Sequence, residues 1–162
     1  MREKVNVELI FERVKNLDDS EKCLLKRGKG KPFERLPWII KAQFYDVTKN
    51  TNFERFGNRG CNFLMYMISI YIDQDCKNGS LFEELLKDIY KTGNLSAKLR
   101  IGCMCDEQDN YVRMDCVRHY VRIFCKEKNI NIVKLTSDIL NWDYKVKNTW
   151  AKTVAGVKLE EN

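Results

Sequence analysis

The length, composition and charge of the chain exclude several classes of protein. Its 162 residues suffice for one domain with a sizeable core and no disulfide staple, and a hydrophobic content of 44% fits a globular fold. The formal net charge of +6, from 29 basic and 23 acidic residues, favours polyanionic partners. The longest apolar run, FLMYMISIYI at 63–72, is about half of a membrane span, so we predict a buried helix and no membrane partner.

The first half of the chain is predicted to be helical. Apolar residues at helical spacing from Val5 to Leu17 predict a first helix, and a short second helix ends near Gly28. Prolines 32 and 37 suit the first turns of new helices, the second of which runs through WIIKAQFYD. Residues 46–60 resemble a connection with weak helical content, and an apolar helix is predicted over about 61–74.

The middle of the chain carries turn and capping signals. Asn78-Gly79 predicts a turn, and Ser80 with Glu83 predicts a capping box that opens a helix. Gly93 is placed to close that helix, and Ser96 is predicted to cap the next one.

The remaining elements complete an all-α prediction. Further helices are predicted over 97–105, 110–128, 133–142 and 144–154, with a polar junction at 106–110. Only NINIV at 129–133 resembles a strand. We expect a compact helical bundle of roughly eight helices, forming a single domain over 1–156 that a junction near 75–80 divides into two helical lobes. Residues 157–162 are expected to fray.

The seven cysteines predict free thiols. Their odd number, the lack of a CxxC pair and the charged start of the chain argue against a disulfide framework and for a cytoplasmic protein. Cys103 and Cys105 are spaced for neither a zinc site nor a redox motif, and His119 is the single histidine. We therefore expect no metal and no cofactor.

The helix predicted around 110–128 carries a basic stripe. Arg118, Arg122 and Lys126 are four residues apart and lie nearly opposite the apolar side, and Asp115 and Glu127 are expected to lie off their line. Helices exposed only to solvent usually mix charges of both signs, so an unmixed stripe favours a polyanion. A plain solvated surface remains the alternative.

A second basic segment, LLKRGKGKPFERLPW at 24–38, has four basic residues and two glycines in the six positions 26–31. It has three possible uses: a phosphate-cradling loop for a nucleotide, an address tag, or a clamp on a nucleic-acid backbone. A nucleotide loop is disfavoured, because the glycine spacing is wrong, the Ser or Thr is missing and a helix precedes it. We interpret Arg27, Lys29 and Lys31 as phosphate contacts.

Further cations extend the candidate nucleic-acid-binding surface if the fold brings them to it: Arg100, Arg113, Lys145 and Lys147. Trp142 and Trp150 are either stacking platforms for bases or core residues, and their helical spacing favours the core. Asp106, Glu107 and Asp109 cluster at a junction where acids commonly cap helices. Because no catalytic constellation accompanies them, we expect a protein that is not an enzyme.

Three motifs follow one another along the chain: LLKRG (24–28) followed by LPWIIKAQF, then GSL (79–81) leading to NLSAKLR and RHYVRIF, and finally LNWDYKVKNTWAKTV (140–154). Their order resembles that of the CasB family, the small subunit of the type I-E CRISPR Cascade complex. The resemblance rests on the order of the three blocks over about 130 residues.

The resemblance implies a compact, non-catalytic all-α protein present in two copies along the complex. The partners it implies are the CRISPR RNA, the target DNA and the other Cascade subunits, and a basic face would support the displaced strand of the R-loop. By position, Arg27, Arg100, Arg118, Arg122 and the pair Lys145 and Lys147 match basic positions of the family. Asp106, Glu107 and Asp109 stand where some members carry arginines, so the basic surface is expected to shift towards Arg113 and the C-terminal lysines.

Two alternatives stay open at this point. The protein could be a pure scaffold whose basic face meets acidic protein surfaces, or a stand-alone RNA-binding protein.

Overall fold

The computed structural model describes residues 3–158, and these form the all-α fold that the sequence predicts. Within that range there are two short 3-10 helices, Phe33–Arg35 and Phe53–Arg55, and nine α-helices. The α-helices are α1 (Val7–Lys15), α2 (Asp19–Lys26), α3 (Trp38–Thr48), α4 (Asn58–Asp73), α5 (Phe82–Thr92), α6 (Leu95–Asp106), α7 (Asn110–Phe124), α8 (Ile132–Leu140) and α9 (Tyr144–Ala155).

Helix α4 lies at the centre of the bundle. Every residue from Phe63 to Tyr71 is buried, as expected of a helix that is apolar on nearly all sides. The helices α1, α2, α7 and α8 pack against it. None of the helices in the described part of the chain combines the length and the apolar character needed to cross a membrane.

One core spans the junction predicted near 75–80. The same cluster of buried side chains includes Val5 and Leu64 from before the junction and Val121 and Trp150 from after it. The two halves are also linked by hydrogen bonds. The backbone N–H of Val5 donates to the Asn141 side chain at 2.8 Å, and the Asn141 amide donates back to the Val5 carbonyl at 3.1 Å.

The junction itself is held by one buried amide. The Gln74 side chain accepts from the Ile130 N–H at 2.9 Å and donates to the Ile130 carbonyl at 3.0 Å. Next to it, Ser80 accepts from Asn131 and donates to Asn129 through its backbone. This isolated bridge, between Ser80 and Ile130, is the pairing that replaces the short strand suggested by NINIV.

The bridge explains why the predicted capping box is wrong. With the Ser80 backbone held by its bridge partners, α5 has Leu81 as its N-cap and no side-chain cap. Glu83 is buried and binds the Lys134 ammonium at 3.1 Å instead.

Other helix ends differ from the predicted bounds by a few residues. Asn94, and not Ser96, caps α6 by accepting from the Ala97 N–H at 2.9 Å. Helix α4 begins at Asn58, three residues before the predicted start, and α7 ends at Phe124, so Lys126 lies in the turn after it. Of the tail predicted to fray, 157–158 is exposed coil and 159–162 lies outside the described residues.

Candidate nucleic-acid interface

The turn after α2 places a group of cations at the surface. The ammonium groups of Lys26 and Lys29 lie 2.6 Å and 3.5 Å from the carboxylate of Asp73 on α4. The hydrogen bond to Asp73 raises the pKa of Lys26. Because a helix and not a strand precedes this segment, it lacks the setting of a nucleotide-binding P-loop. We call this set the basic turn: Lys26, Arg27, Lys29 and Lys31.

The predicted basic stripe lies on the outer side of α7 and of the turn that follows. Arg122 and Lys126 are exposed, and among residues 3–158 neither has a carboxylate within 4.0 Å. Both cations are therefore free to meet an anion in solution. They form the part of the stripe that keeps its full charge.

Arg118 differs from the other two members of the stripe. Its guanidinium binds Asp115 at 2.8 Å, and the same carboxylate binds Arg59 on α4 at 3.2 Å. The expectation that no acid interleaves the stripe is therefore wrong, because an i,i+3 spacing lets Asp115 reach Arg118 on the helix surface. The three groups together retain one positive charge.

The basic turn and the end of α7 are neighbours in the fold. Burial raises the pKa of the Cys125 thiol at the end of α7, and the nearby charge of Lys29 offsets part of that rise while Asp73 adds to it. Lys29 also lies over the Tyr66 ring on α4, 5.6 Å from its centroid. Lys29 and Cys125 therefore lie near each other beside α4, although they are about 95 residues apart in the sequence. We use the name basic face for the cations of these two segments: the basic turn together with Arg122 and Lys126.

Arg113 does not belong to this surface, which corrects its placement among the candidate contacts. Its side chain is only 4% exposed. The guanidinium donates to the Met104 carbonyl at 3.2 Å, to the Asn110 side chain at 2.7 Å and to the Glu107 carbonyl. It also lies over the Trp142 ring, 4.4 Å from the centroid. Burial lowers the pKa of Arg113, and its role is to bind the carbonyls at the end of α6.

The remaining candidate cations lie elsewhere. Arg100 on α6 is exposed and close to the Tyr120 phenol; burial raises the pKa of Tyr120, and Arg100 offsets part of the rise. Lys147 on α9 binds Asp106 at the end of α6 at 2.6 Å, so that acid neutralises it. Lys145 is exposed on α9. No contact described for residues 3–158 joins the α9 lysines to the basic face.

Trp150 packs in the core, as its spacing favours, and Trp142 is partly buried against that core. Trp150 is 1% exposed, and its indole N–H donates to the Asp138 carboxylate at 2.8 Å. Trp142 meets Trp150 edge to face at 5.0 Å and covers Arg113. The Trp150 ring is therefore closed to a base.

Sequence reasoning missed Lys26 and Arg59. Lys26 lies in the basic segment 24–38, directly before Arg27. The position of the α2 end, at Lys26, is the signal that would have added it to the candidate contacts. Arg59 was missed because the sequence of residues 46–60 resembles a connection. In the structure α4 begins at Asn58, and Arg59 in its first turn binds Asp115.

All seven cysteines, which lie within the described residues, are free thiols. Burial raises the pKa of Cys61 to about 11, and burial also raises the pKa of Cys105 to about 11 although Arg113 partly offsets it. Both therefore stay protonated near neutral pH. No group of three or more potential metal ligands comes together within residues 3–158.

Comparison with known proteins adds no relative. No family model matches the chain, and neither a curated protein nor a solved structure matches it. The geometry of the basic face and the motifs in the sequence are therefore the features that bear on function.

Proposed function

We propose that this chain is a non-catalytic small subunit of an RNA-guided CRISPR surveillance complex of the Cascade type. In that role the basic face binds the phosphate backbone of a single strand, next to the guide RNA and its target, and stabilises the displaced strand of the R-loop. The proposed partners are CRISPR RNA, target DNA, other subunits of the complex and a second copy of the chain, all in the cytoplasm.

The observation that supports the proposal is that the segments carrying two of the resembling motifs lie near each other. LLKRG ends α2 and supplies Arg27, and RHYVRIF lies in α7 and supplies Arg122. Lys29 next to the first motif influences the thiol of Cys125 just after the second. Contacts between cations and phosphates depend little on base identity, which suits a subunit that must accept any target sequence.

Modest contacts of this kind are sufficient for the proposed role. R-loop formation exchanges a DNA duplex for an RNA–DNA duplex of similar stability, so a few contacts to the backbone shift the balance. Arg122 and Lys126 are available for this because no carboxylate of the described residues pairs with them. Asp73 pairs with Lys26 and Lys29, whereas Arg27 and Lys31 have no carboxylate of the described residues within 4.0 Å.

A specific observation also favours contact with protein subunits. A groove of about 830 Å³ runs between α6 and α7, and its rim includes Leu95 and Leu99, which are 69% and 59% exposed. Exposed apolar side chains that lie together along a groove are typical of protein interaction sites. The second candidate function is therefore a pure scaffold that bridges other subunits through this groove.

The assembled complex distinguishes the two functions. We expect Arg122→Glu with Lys126→Glu to shorten the lifetime of the R-loop on target DNA while size-exclusion chromatography shows normal assembly, because both side chains are exposed and unpaired within the described residues. The matched control is Lys91→Glu with Lys152→Glu, which makes the same charge change on exposed positions of α5 and α9. An unchanged R-loop lifetime in a fully assembled complex would favour the scaffold.

A further inference from the structure

The outer side of α3 presents two aromatic rings that the basic face does not use. Trp38 is 78% exposed and Tyr45 is 54% exposed. They are seven residues apart, which places them on the same side of the helix and about 10 Å apart along its axis. Lys41 lies between them on that side. Tryptophan is among the most buried residue types on average, so this exposure is unusual.

The helix that carries these rings is anchored in the core. Helix α3 is anchored by Ile40, Phe44 and Val47, which are 3% exposed or less. The Tyr45 ring meets Phe33 at 5.7 Å and an interplanar angle of 82°, and it meets Phe44 at 5.9 Å and 71°. These edge contacts orient the Tyr45 ring without covering it fully, because more than half of the side chain stays exposed.

Cations accompany the rings. The Lys41 ammonium lies 5.8 Å from the centroid of the Phe33 ring and donates to the Glu34 carbonyl at 3.0 Å. Lys31 and Arg35 are exposed in the segment just before α3. Within residues 3–158, none of these three cations has a carboxylate within 4.0 Å. The nearby acid Asp46 binds Lys49 at 2.8 Å, so the charges that remain free at this surface are predominantly positive.

We propose that this aromatic stripe, consisting of Trp38, Lys41 and Tyr45, is a second binding site for single-stranded nucleic acid. The two rings stack on bases, and Lys41 with Arg35 contacts the phosphates between them. The separation of the rings corresponds to about three steps of a stacked strand at 3.4 Å per step. The unpaired positive charge beside the rings favours a polyanion over an apolar protein segment as the occupant. The inference rests on the proposed function only in that the chain binds single strands.

The test separates stacking on bases from attraction to phosphates. We would measure anisotropy of a labelled oligo(dT) and of an abasic oligonucleotide with the same number of phosphates, titrated with the full chain. Trp38→Leu removes the ring but keeps an apolar side chain, and Trp38→Phe keeps a ring. We expect Trp38→Leu to weaken oligo(dT) binding about 5-fold or more and Trp38→Phe to weaken it less. The abasic oligonucleotide should bind all three proteins equally, because it offers no base.

Several outcomes would overturn the inference. Equal affinity of Trp38→Leu and the unchanged chain for oligo(dT), or an equal loss on both oligonucleotides, would exclude stacking. If Trp38→Leu sediments differently from the unchanged chain but binds oligo(dT) with the same affinity, α3 is a protein-docking surface and not a nucleic-acid site. Circular dichroism checks the fold, which an exposed position should preserve.

The proposed function and this inference can fail separately. If Arg122→Glu with Lys126→Glu abolishes oligo(dT) binding while Trp38→Leu has no effect, the basic face stands and the aromatic stripe fails. The opposite pattern would support the stripe and contradict the basic face. No binding by the unchanged chain at low salt would overturn both.

Discussion

Arg113 shows how a charged residue can serve the fold. Its guanidinium reaches the carbonyls of Met104 and Glu107, which the end of α6 leaves without helical partners. Trp142 covers the other side of the planar group. Sequence patterns assign charged residues to the surface because most of them are there. The burial of Arg113 follows from the chain reversal between α6 and α7, which no local pattern encodes.

Arg113→Ala should therefore destabilise the protein. We expect a loss of about 2–4 kcal/mol in the free energy of unfolding, because hydrogen bonds to a charged group are lost and buried carbonyls are left without donors. Urea denaturation followed by circular dichroism measures it. Arg122→Ala is the matched control and should change stability by less than about 0.5 kcal/mol, because that side chain is exposed. Equal midpoints for the two variants would refute the structural role of Arg113.

Helix α7 was the most predictable element of the candidate site. Its 3.6-residue period separates the apolar side, with Val117 and Val121 fully buried, from the side that carries Arg122. The charge on that outer side was harder to predict. Asp115 lies off the line of the stripe on a helical wheel, but its side chain spans the gap to Arg118 and to Arg59 of another helix.

Helix starts were less predictable than helix periods. Several residue types near 94–96 can cap a helix, and the sequence offers both Asn94 and Ser96. Only the backbone conformation decides between them, and it selects Asn94, which is extended and accepts from the Ala97 N–H.

The two candidates for this cap can be compared directly by mutation. Asn94→Ala should lower the free energy of unfolding by about 1 kcal/mol, because the Ala97 N–H loses its acceptor. Ser96→Ala should leave stability unchanged or raise it slightly, since alanine is the better helix former inside α6. Thermal denaturation of both variants checks this, and a larger loss for Ser96→Ala would mean that α6 begins later than the structure indicates.

At the scale of the whole molecule, the two halves of the chain share one core. The all-α class followed from the helical periods, but the contact between the connection at 77–80 and the segment 129–131 did not. It depends on residues about 50 positions apart, Ser80 and Ile130, whose pairing leaves no periodic signal. Gly79 permits it, because an added Cβ would lie 2.2 Å from the Asn129 carbonyl oxygen.

Two glycines give opposite predictions for the same substitution. Gly79→Ala should destabilise the protein by about 1–3 kcal/mol, because the backbone of Asn129 would have to move. Gly102→Ala should instead stabilise it by about 0.5–1 kcal/mol, since the position is helical and open. Chemical denaturation measures both. A neutral Gly79→Ala would show that the two segments are not in close contact in solution.

The proposed function is also a property of the whole molecule, because the basic face is built from segments far apart in the sequence. Which cations reach that face could not be predicted from charge alone. Asp106 neutralises Lys147, and burial removes Arg113, whereas Arg122 and Lys126 stay exposed. The first part of the basic segment 24–38 forms a helix end and a turn in which Lys26 and Lys29 bind Asp73.

The most direct measurement of strand binding by the basic face is the salt dependence of single-stranded DNA binding. Anisotropy of a labelled oligonucleotide, titrated with the purified chain at several salt concentrations, gives the slope of log affinity against log salt. Each neutralised phosphate contributes about −0.7 to that slope, so Arg122→Glu with Lys126→Glu should flatten it by about 1 to 2 units. Lys91→Glu with Lys152→Glu should leave the slope as it is. An equal slope for both double variants, or no binding by the unchanged chain at low salt, would contradict a strand-holding role for the basic face.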